Sequence, residues 1–430
     1  GVGPQEYTLI KMKVKEPFPE VLSALAGKEV FLAAATLRPE TMYGQTNCWI
    51  LPDGDYGAYE LKNGDVFVMT DRAARNMAFQ EFFPEFGKYS ALLSVKGKDL
   101  IGLPLKAPNA IHDPIYVLPL TTVSTTKGTG VVTSVPSDAP DDYRGLQDLK
   151  EKEKLRNDFD LKEEWVNFEP VPIIEIADLG NLAAVKACEI YKVKSQKDKE
   201  GLAKAKEEVY KKGFYGGTMI IGEFSGQSVE YAKNRIKMQM VESGDAVVYN
   251  ETEKVVISRT GDECVVALTD QWYLDYGEAE WRALAEECLE SMETYAPETR
   301  HGFEGTLKWL HEWACTRTFG LGTKLPWDPQ WVIESLSDST IYMAYYTVSH
   351  LLQGADNLEG SRPGPLNIQP SELTDPVWSY ILLGRELTEK QLSDSGIAKD
   401  SLEKLRNEFA YWYPLDLRVS GKDLVPNHLT

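Results

Sequence analysis

The chain has 430 residues, 43% hydrophobic and 26% charged, with a formal net charge of −20 at pH 7. That length exceeds one ordinary domain, and that mixture excludes an intrinsically disordered chain. The acidic balance excludes a surface that coats nucleic acid indiscriminately, because phosphate affinity comes mainly from lysine and arginine; a pocket for one RNA end needs only local groups.

The longest apolar runs, such as IYVLPL at 115–120, fall well short of the roughly 20 residues a membrane helix needs, so a soluble protein with no membrane partner is expected. A first residue of glycine and a final PNHLT are read as the cut ends of something larger, which leaves any leader out of view. Cys48, Cys188, Cys264, Cys288 and Cys315 are scattered with no CxxC pair, which fits a reducing compartment and neither a zinc ribbon nor a disulfide framework.

In chain order, EYTLIKMKV (6–14), EVFLAAATL (29–37), DVFVMT (65–70) and IYVLPL (115–120) are apolar, β-branched runs punctuated by Gly, Pro and Asp, and predict strands. After GTGVVTSVP (128–136) the chain turns charged, and LKEKEKLRNDF (149–159) predicts a solvated helix face. Val229, Ala232, Ile236 and Met240 recur at steps of 3 and 4, predicting a helix from Val229 to Glu242. Residues 1 to about 255 thus read as one mixed α/β domain. Beyond ISRTGDECVVAL (257–268) aromatic density rises, in DQWYLDYGEAEW (270–281), and helices are expected up to YTVSHLLQG (346–354). QGADNLEGSRPGPLNIQP (353–370) predicts a surface loop, and YPLDLRVSGKD (413–423) a last strand-like piece.

Two stretches carry candidate chemistry. In AAATLRPETMYGQTN (33–47) a strand runs into a turn where Pro39 suits the first turn of a helix, placing the hydroxyls of Thr36 and Thr41 at the junction. Capping and turn chemistry account for these hydroxyls when the stretch is taken alone. In TTKGTGVVTSVPSDAPDDYRGL (125–146) a Gly-x-Gly turn leads through a short strand to Asp138, Asp141 and Asp142 ahead of a helix. Acids there satisfy free N–H groups, and GTG lacks the context of a nucleotide loop. Together, a hydroxyl-rich and a carboxylate-rich turn at the ends of adjacent strands define one pocket, in which a carboxylate holds an ammonium and hydroxyls order a water. None of the five histidines, His112, His301, His311, His350 and His428, sits in a hydrolase signature.

ATLRPETMYGQTN together with GTGVVTSVPSDAPDD resembles the editing domain inserted into leucyl-, isoleucyl- and valyl-tRNA synthetases. DECVVALTDQWYLDYGE (262–278), ACTRTFGLGTKLPWDPQW (314–331), IESLSDSTIYMAYYTVSHLLQG (333–354) and FAYWYPLDLRVSGKDLVPNHL (409–429) resemble the leucyl family of archaeal and eukaryotic-cytosolic type. The resemblance implies a mixed α/β editing domain with a barrel-like core over residues 1–256, then part of a class I Rossmann-type nucleotide-binding core over 257–430. It implies hydrolysis of the ester between a wrong amino acid and the 3′-terminal adenosine of leucine tRNA. Its catalytic set is Asp142, Thr36 and Thr41, with Asp142 gripping the α-amino group, Thr36 lining the ester and Thr41 refusing leucine by its bulk. Arg38 joins Thr36 at the ester and terminal ribose, while Thr133 and Val135 lie beneath the amino-acid side chain. Gly421 and Asp423, in VSGKDLVPNHL, are the implied ribose contacts of the synthetic site.

Editing needs no cofactor on this reading, whereas the full-length enzyme attaches leucine using ATP with Mg2+. The HIGH-type and KMSKS-type strings of the family are not in the sequence, so adenylate formation by this chain alone is not expected. Some archaeal relatives place zinc-binding cysteines near SRTGDEC; here Ser258 and Thr260 stand, and no metal is expected. The implied partners are the acceptor end of leucine tRNA, leucine and its mimics, and a multi-synthetase complex, in the cytoplasm. Rival readings are an isoleucyl or valyl editing domain, a free-standing deacylase, and a non-enzymatic interaction module.

Overall fold

Apolar runs bounded by turn residues become strands in the first part of the chain. The computed structural model describes residues 2–354 and 356–430, and two units emerge, Gly1–Leu268 and Thr269–Thr430. In the first, the strands are β1 (Pro4–Val14), β2 (Val30–Thr36), β3 (Asn47–Ile50), β4 (Asp55–Glu60), β5 (Val66–Met69), β6 (Ala91–Lys96), β7 (Pro104–Lys106), β8 (Ile115–Pro119), β9 (Val131–Ser134), β10 (Ile174–Ile176), β11 (Gly217–Met219) and β12 (Ala246–Thr252). Ten of them form one mixed sheet in the order β6-β4-β5-β2-β1-β7-β8-β3-β9, with β12 also on β1, while β10 and β11 pair separately. The β2–β5 and β3–β8 pairs are parallel and the other ladders antiparallel.

This sheet curls on itself. A Cβ built on Gly128, just before β9, would lie 3.2 Å from the Ala35 Cβ of β2, so the last strand of the path returns to an early one in the barrel-like manner expected. Ile10, Met12, Leu32, Ala34, Cys48, Ile50, Val68, Val117 and Val131 meet in the interior. At roughly 25 cal/mol per Å² of apolar surface removed from water, such a core dominates the stability of the unit.

Helices α1 (Asp71–Ala78), α2 (Pro140–Glu151), α3 (Glu153–Asn157), α4 (Glu163–Val166), α5 (Ala183–Ile190), α6 (Lys199–Gly216) and α7 (Val229–Glu242) surround the sheet. The last has the bounds its periodicity predicts and buries Val229, Ala232, Ile236 and Met240. The charged stretch at 149–159 is helical in two pieces that break at Lys152. Residues 257–268, which the resemblance groups with the second part, are tied to the first unit: Gln80 donates to the Val266 carbonyl (3.1 Å) and the Leu268 N–H to the Phe79 carbonyl (2.8 Å).

The second unit has β13 (Tyr273–Asp275) paired with β14 (Glu312–Ala314), and β15 (Thr316–Arg317) and β16 (Lys324–Leu325) flanking β17 (Asp328–Ile333). Its helices are α8 (Ala279–Ser291), α9 (Pro297–Trp309), α10 (Ser335–Leu352), α11 (Asp375–Leu383), α12 (Glu389–Ser395) and α13 (Lys399–Trp412). Val348, Leu351, Val377, Ile381, Leu402 and Leu405 form its helical core. The pairings among its described residues are antiparallel, so the parallel sheet of a Rossmann-type core is not seen there. Residues 413–423 form no strand: no neighbouring strand takes up their N–H and C=O groups, and most of the segment is exposed. The predicted loop at 353–370 is irregular up to Gln369; Ala355 lies outside the described residues. No described helix is long and apolar enough to cross a membrane.

Candidate active site

The threonine-rich stretch leaves β2 and tightens into a 3-10 turn over Pro39–Gly44, with Arg38 at its cap and Pro39 in its first turn. The Thr36 hydroxyl oxygen accepts from the Arg38 N–H at 3.0 Å, so its own proton is still available to a ligand. Thr41 is buried, and its hydroxyl and its N–H both donate to the Arg38 carbonyl, at 2.8 and 3.0 Å. That bond occupies the Thr41 proton, leaving the side chain its bulk and only acceptor lone pairs to offer a neighbour.

The aspartate stretch arrives through β9. Gly128 and Gly130 take φ values of +63° and +74°, a backbone region that side-chain-bearing residues rarely adopt, so the GTG signal is a turn device and not a phosphate loop. The Gly128 N–H donates to the buried carboxylate of Glu251 (3.0 Å), fixing the entry to β9. Thr133 pairs with Cys48 of β3, and at Val135 the strand ends in a turn closed by the Asp138 and Ala139 N–H groups donating to the Val135 carbonyl. Pro140 then opens α2, which places Asp141 and Asp142 in its first turn.

Asp142 is the pivot. Its Oδ2 accepts from the Val135 N–H (2.8 Å) and its Oδ1 from the Trp49 indole N–H (3.0 Å). Each oxygen keeps a further lone pair, enough for an incoming ammonium. Burial pushes this carboxyl up to about 7, with Asp141 adding to the rise, against the Val135 amide, the Trp49 indole and Lys206. Asp138, fully buried, is raised to about 6 by burial, with Arg38 and the Ser137 hydroxyl opposing and Glu40 adding.

The two turns are physically joined. Arg38 Nη1 donates to the Asp138 carbonyl (3.1 Å), and the Thr46 N–H donates to the Ser134 carbonyl (3.1 Å). A Cβ on Gly44 would stand 3.0 Å from Val135 Cγ1, so this glycine permits the close approach of the first turn to the second. Thr36, Arg38, Thr41, Val135 and Asp142 are thereby tied into one network, with Thr133 on β9, two residues before Val135. Thr46 is accounted for as well: its hydroxyl donates to Asn47 Oδ1 at 2.8 Å, pinning the end of the turn.

Several contributors have no motif to announce them. Trp49 is fully buried on β3 and reaches Asp142 across 93 residues of sequence. From α6, the Tyr210 ring lies against the Arg38 guanidinium (4.8 Å) and Lys206 pairs with Asp141 (2.7 Å), so one helix touches both turns. The Leu202, Ala205, Val209 and Gly213 stripe is the sequence signal for that helix, although Lys206 and Tyr210 lie off it. In the second unit, Gly421 caps an exposed turn over Lys422–Leu424 that contains Asp423.

Comparison with known proteins defines the class first. The solved P. knowlesi cytosolic leucyl-tRNA synthetase editing domain is similar to this chain with a TM-score of 0.54 and 26% identity, over 57% of this chain and 97% of that one. The solved GlLeuRS-CP1 is similar at a TM-score of 0.53 and 37% identity, over 57% of this chain and 99% of that one. Among curated relatives, the cytoplasmic leucine–tRNA ligase of Arabidopsis thaliana is 56% identical over 100% of this chain and 39% of its own length. That of Pongo abelii is 55% identical, over 100% of this chain and 36% of its own. The chain therefore belongs to the leucyl-tRNA synthetase family. It spans 36–40% of the length of these and another such relative. No family model matches the chain.

Proposed function

We propose that the first unit hydrolyses the ester of mischarged leucine tRNA, removing amino acids that resemble leucine from the 3′-terminal adenosine. The observation that carries this is the junction of the threonine-rich turn with a buried carboxylate, Asp142, through Arg38, Gly44 and Val135, in a chain similar to leucyl-tRNA synthetase editing domains. Asp142 accepts the α-ammonium of the bound amino acid, a charge-assisted contact that every aminoacyl ester can make. Thr36 donates its free proton to the ester or to the attacking water, and Arg38 lies beside it where the ribose enters. Thr41 stands as the wall, and Thr133 and Val135 form the floor under the side chain.

Water adds to the ester carbonyl, the C–O bond to the ribose breaks, and the amino acid leaves as its carboxylate. No protein nucleophile is required. A second sieve is useful because an apolar pocket separates amino acids differing by one methylene by only about 1–3 kcal/mol. The test is deacylation of isoleucyl- and norvalyl-tRNA(Leu) by this chain; failure on both, with the protein folded, removes the proposal.

The second unit is read as part of the synthetic core, of Rossmann type in the longer protein, which attaches leucine to its tRNA. Gly421 leaves open space where a side chain would stand, and Asp423 exposes a carboxylate two residues on, a set that suits ribose hydroxyls. ATP with Mg2+ supplies activation of the leucine carboxylate in that enzyme. The relatives' names place them in the cytoplasm, and the same location is proposed here. Kinship alone supports membership of a multi-synthetase complex.

A further inference from the structure

Arg38 links the two turns of the site: the Glu40 carboxylate and the main-chain carbonyl of Asp138 both accept from its guanidinium. Its Nε donates to Glu40 Oε1 (3.3 Å), its Nη1 donates to the main-chain carbonyl of Asp138 (3.1 Å), and the Ser137 hydroxyl donates to Asp138 Oδ2 (2.6 Å). Glu40 is 1% exposed and Asp138 0%. Arg38 Nη2, Glu40 Oε2 and Asp138 Oδ1 find no hydrogen-bond partner among the described residues. A buried Arg38–Glu40 pair beside a second buried carboxyl that bonds Ser137 and not the guanidinium, with polar atoms left over, makes a poor device for stability, because desolvating incompletely paired charge is costly. What the cluster supplies is direction: the guanidinium is held by a group from each turn.

The main chain of Arg38 is the other half of the inference. Its N–H is bound to Thr36 Oγ1, and its carbonyl accepts both the N–H and the hydroxyl of Thr41. Whatever fixes Arg38 therefore fixes both threonines. We propose that Glu40 and Asp138 are positioning residues of the hydrolytic site: the Glu40 carboxylate and the Asp138 main-chain carbonyl, whose turn the Ser137–Asp138 side-chain bond braces, hold Arg38 from both turns so that its carbonyl seats Thr41, and thereby set how strictly leucine is refused. The proposal rests on the hydrolytic function above.

Glu40→Gln and Asp138→Asn keep volume and remove charge, and are tested in the full chain by two measurements. The first is hydrogen exchange in the peptide spanning Thr41, where each variant is expected to exchange about tenfold faster while β1 is unchanged. The second is deacylation, where the kcat/KM ratio of leucyl- to isoleucyl-tRNA(Leu) is expected to rise about tenfold, with kcat for the isoleucyl ester reduced and its KM within about twofold. The double variant should add little to either single one, since both act through Arg38. Unchanged exchange at Thr41 overturns the positioning role, and faster exchange with an unchanged ratio overturns the role in specificity. A wild-type chain that hydrolyses neither ester removes the hydrolytic function itself, while the exchange measurement still judges the positioning. If either variant fails to fold, Ser137→Ala, which removes only the donor to Asp138, carries the same two measurements.

Discussion

Asp142 pulls stability and activity in opposite directions. Its carboxyl titrates near 7 in the folded protein against a free value of 3.8, so across that window the folded chain keeps a proton that the unfolded chain has released. Stability contributed by this group is therefore present at low pH and falls as pH rises from about 4 to 7. Asp142→Asn should flatten that dependence: between pH 5 and 8 the variant should gain about 1–4 kcal/mol on wild type, read from urea unfolding at both values. On the proposed role of Asp142, deacylation needs the ionised carboxylate to hold an ammonium, so wild-type activity should climb with pH toward 7. Thr41 is the second residue with a sharp expectation. Thr41→Ala should raise hydrolysis of correctly charged leucyl-tRNA(Leu) by roughly 10- to 100-fold, measured as release of labelled leucine. Of the site, Thr36, Thr41 and Asp142 were legible because their stretches carry a recognisable pattern. Trp49, Glu40, Lys206 and Tyr210 were not, since an ordinary buried tryptophan or helix-face lysine acquires its meaning only when distant segments meet.

Among the elements, α7 and the main strands could be read from spacing because burial on one face imposes a period of 3.6 or 2 on the sequence. The piece at 413–423 misled for the complementary reason: an extended run with apolar residues at every second position, Leu415, Leu417 and Val419, becomes a strand only if another strand receives its hydrogen bonds. The three-residue strands β10 and β11 are too short for any period to show. The GTG turn shows how a weak motif can still be structurally strict. At Gly130 the backbone is left-handed at φ +74°, and a Cβ would fall 2.5 Å from Thr70 Cγ2. Gly130→Ala should lower the stability of the first unit by about 1–3 kcal/mol, measured by urea unfolding, and should slow deacylation by shifting the strand that leads into Val135 and the turn of Asp142.

At the scale of the whole molecule, each unit has its own apolar core, one inside the curled sheet and one among α10, α11 and α13. Two cores in separate units predict two unfolding transitions in calorimetry, of which Gly130→Ala should lower only one. A single transition that moves as a whole would show the units to be thermodynamically one. The central claim is that the first unit is a hydrolytic sieve built on Asp142, and one measurement tests it most directly: the rates at which wild type and Asp142→Ala deacylate isoleucyl-tRNA(Leu), with leucyl-tRNA(Leu) as control. Wild type should clear the isoleucyl ester and spare the leucyl one, and Asp142→Ala should lose about 100-fold or more on the isoleucyl ester while remaining folded. Equal rates for the two proteins, or equal rates for the two esters with wild type, would contradict it.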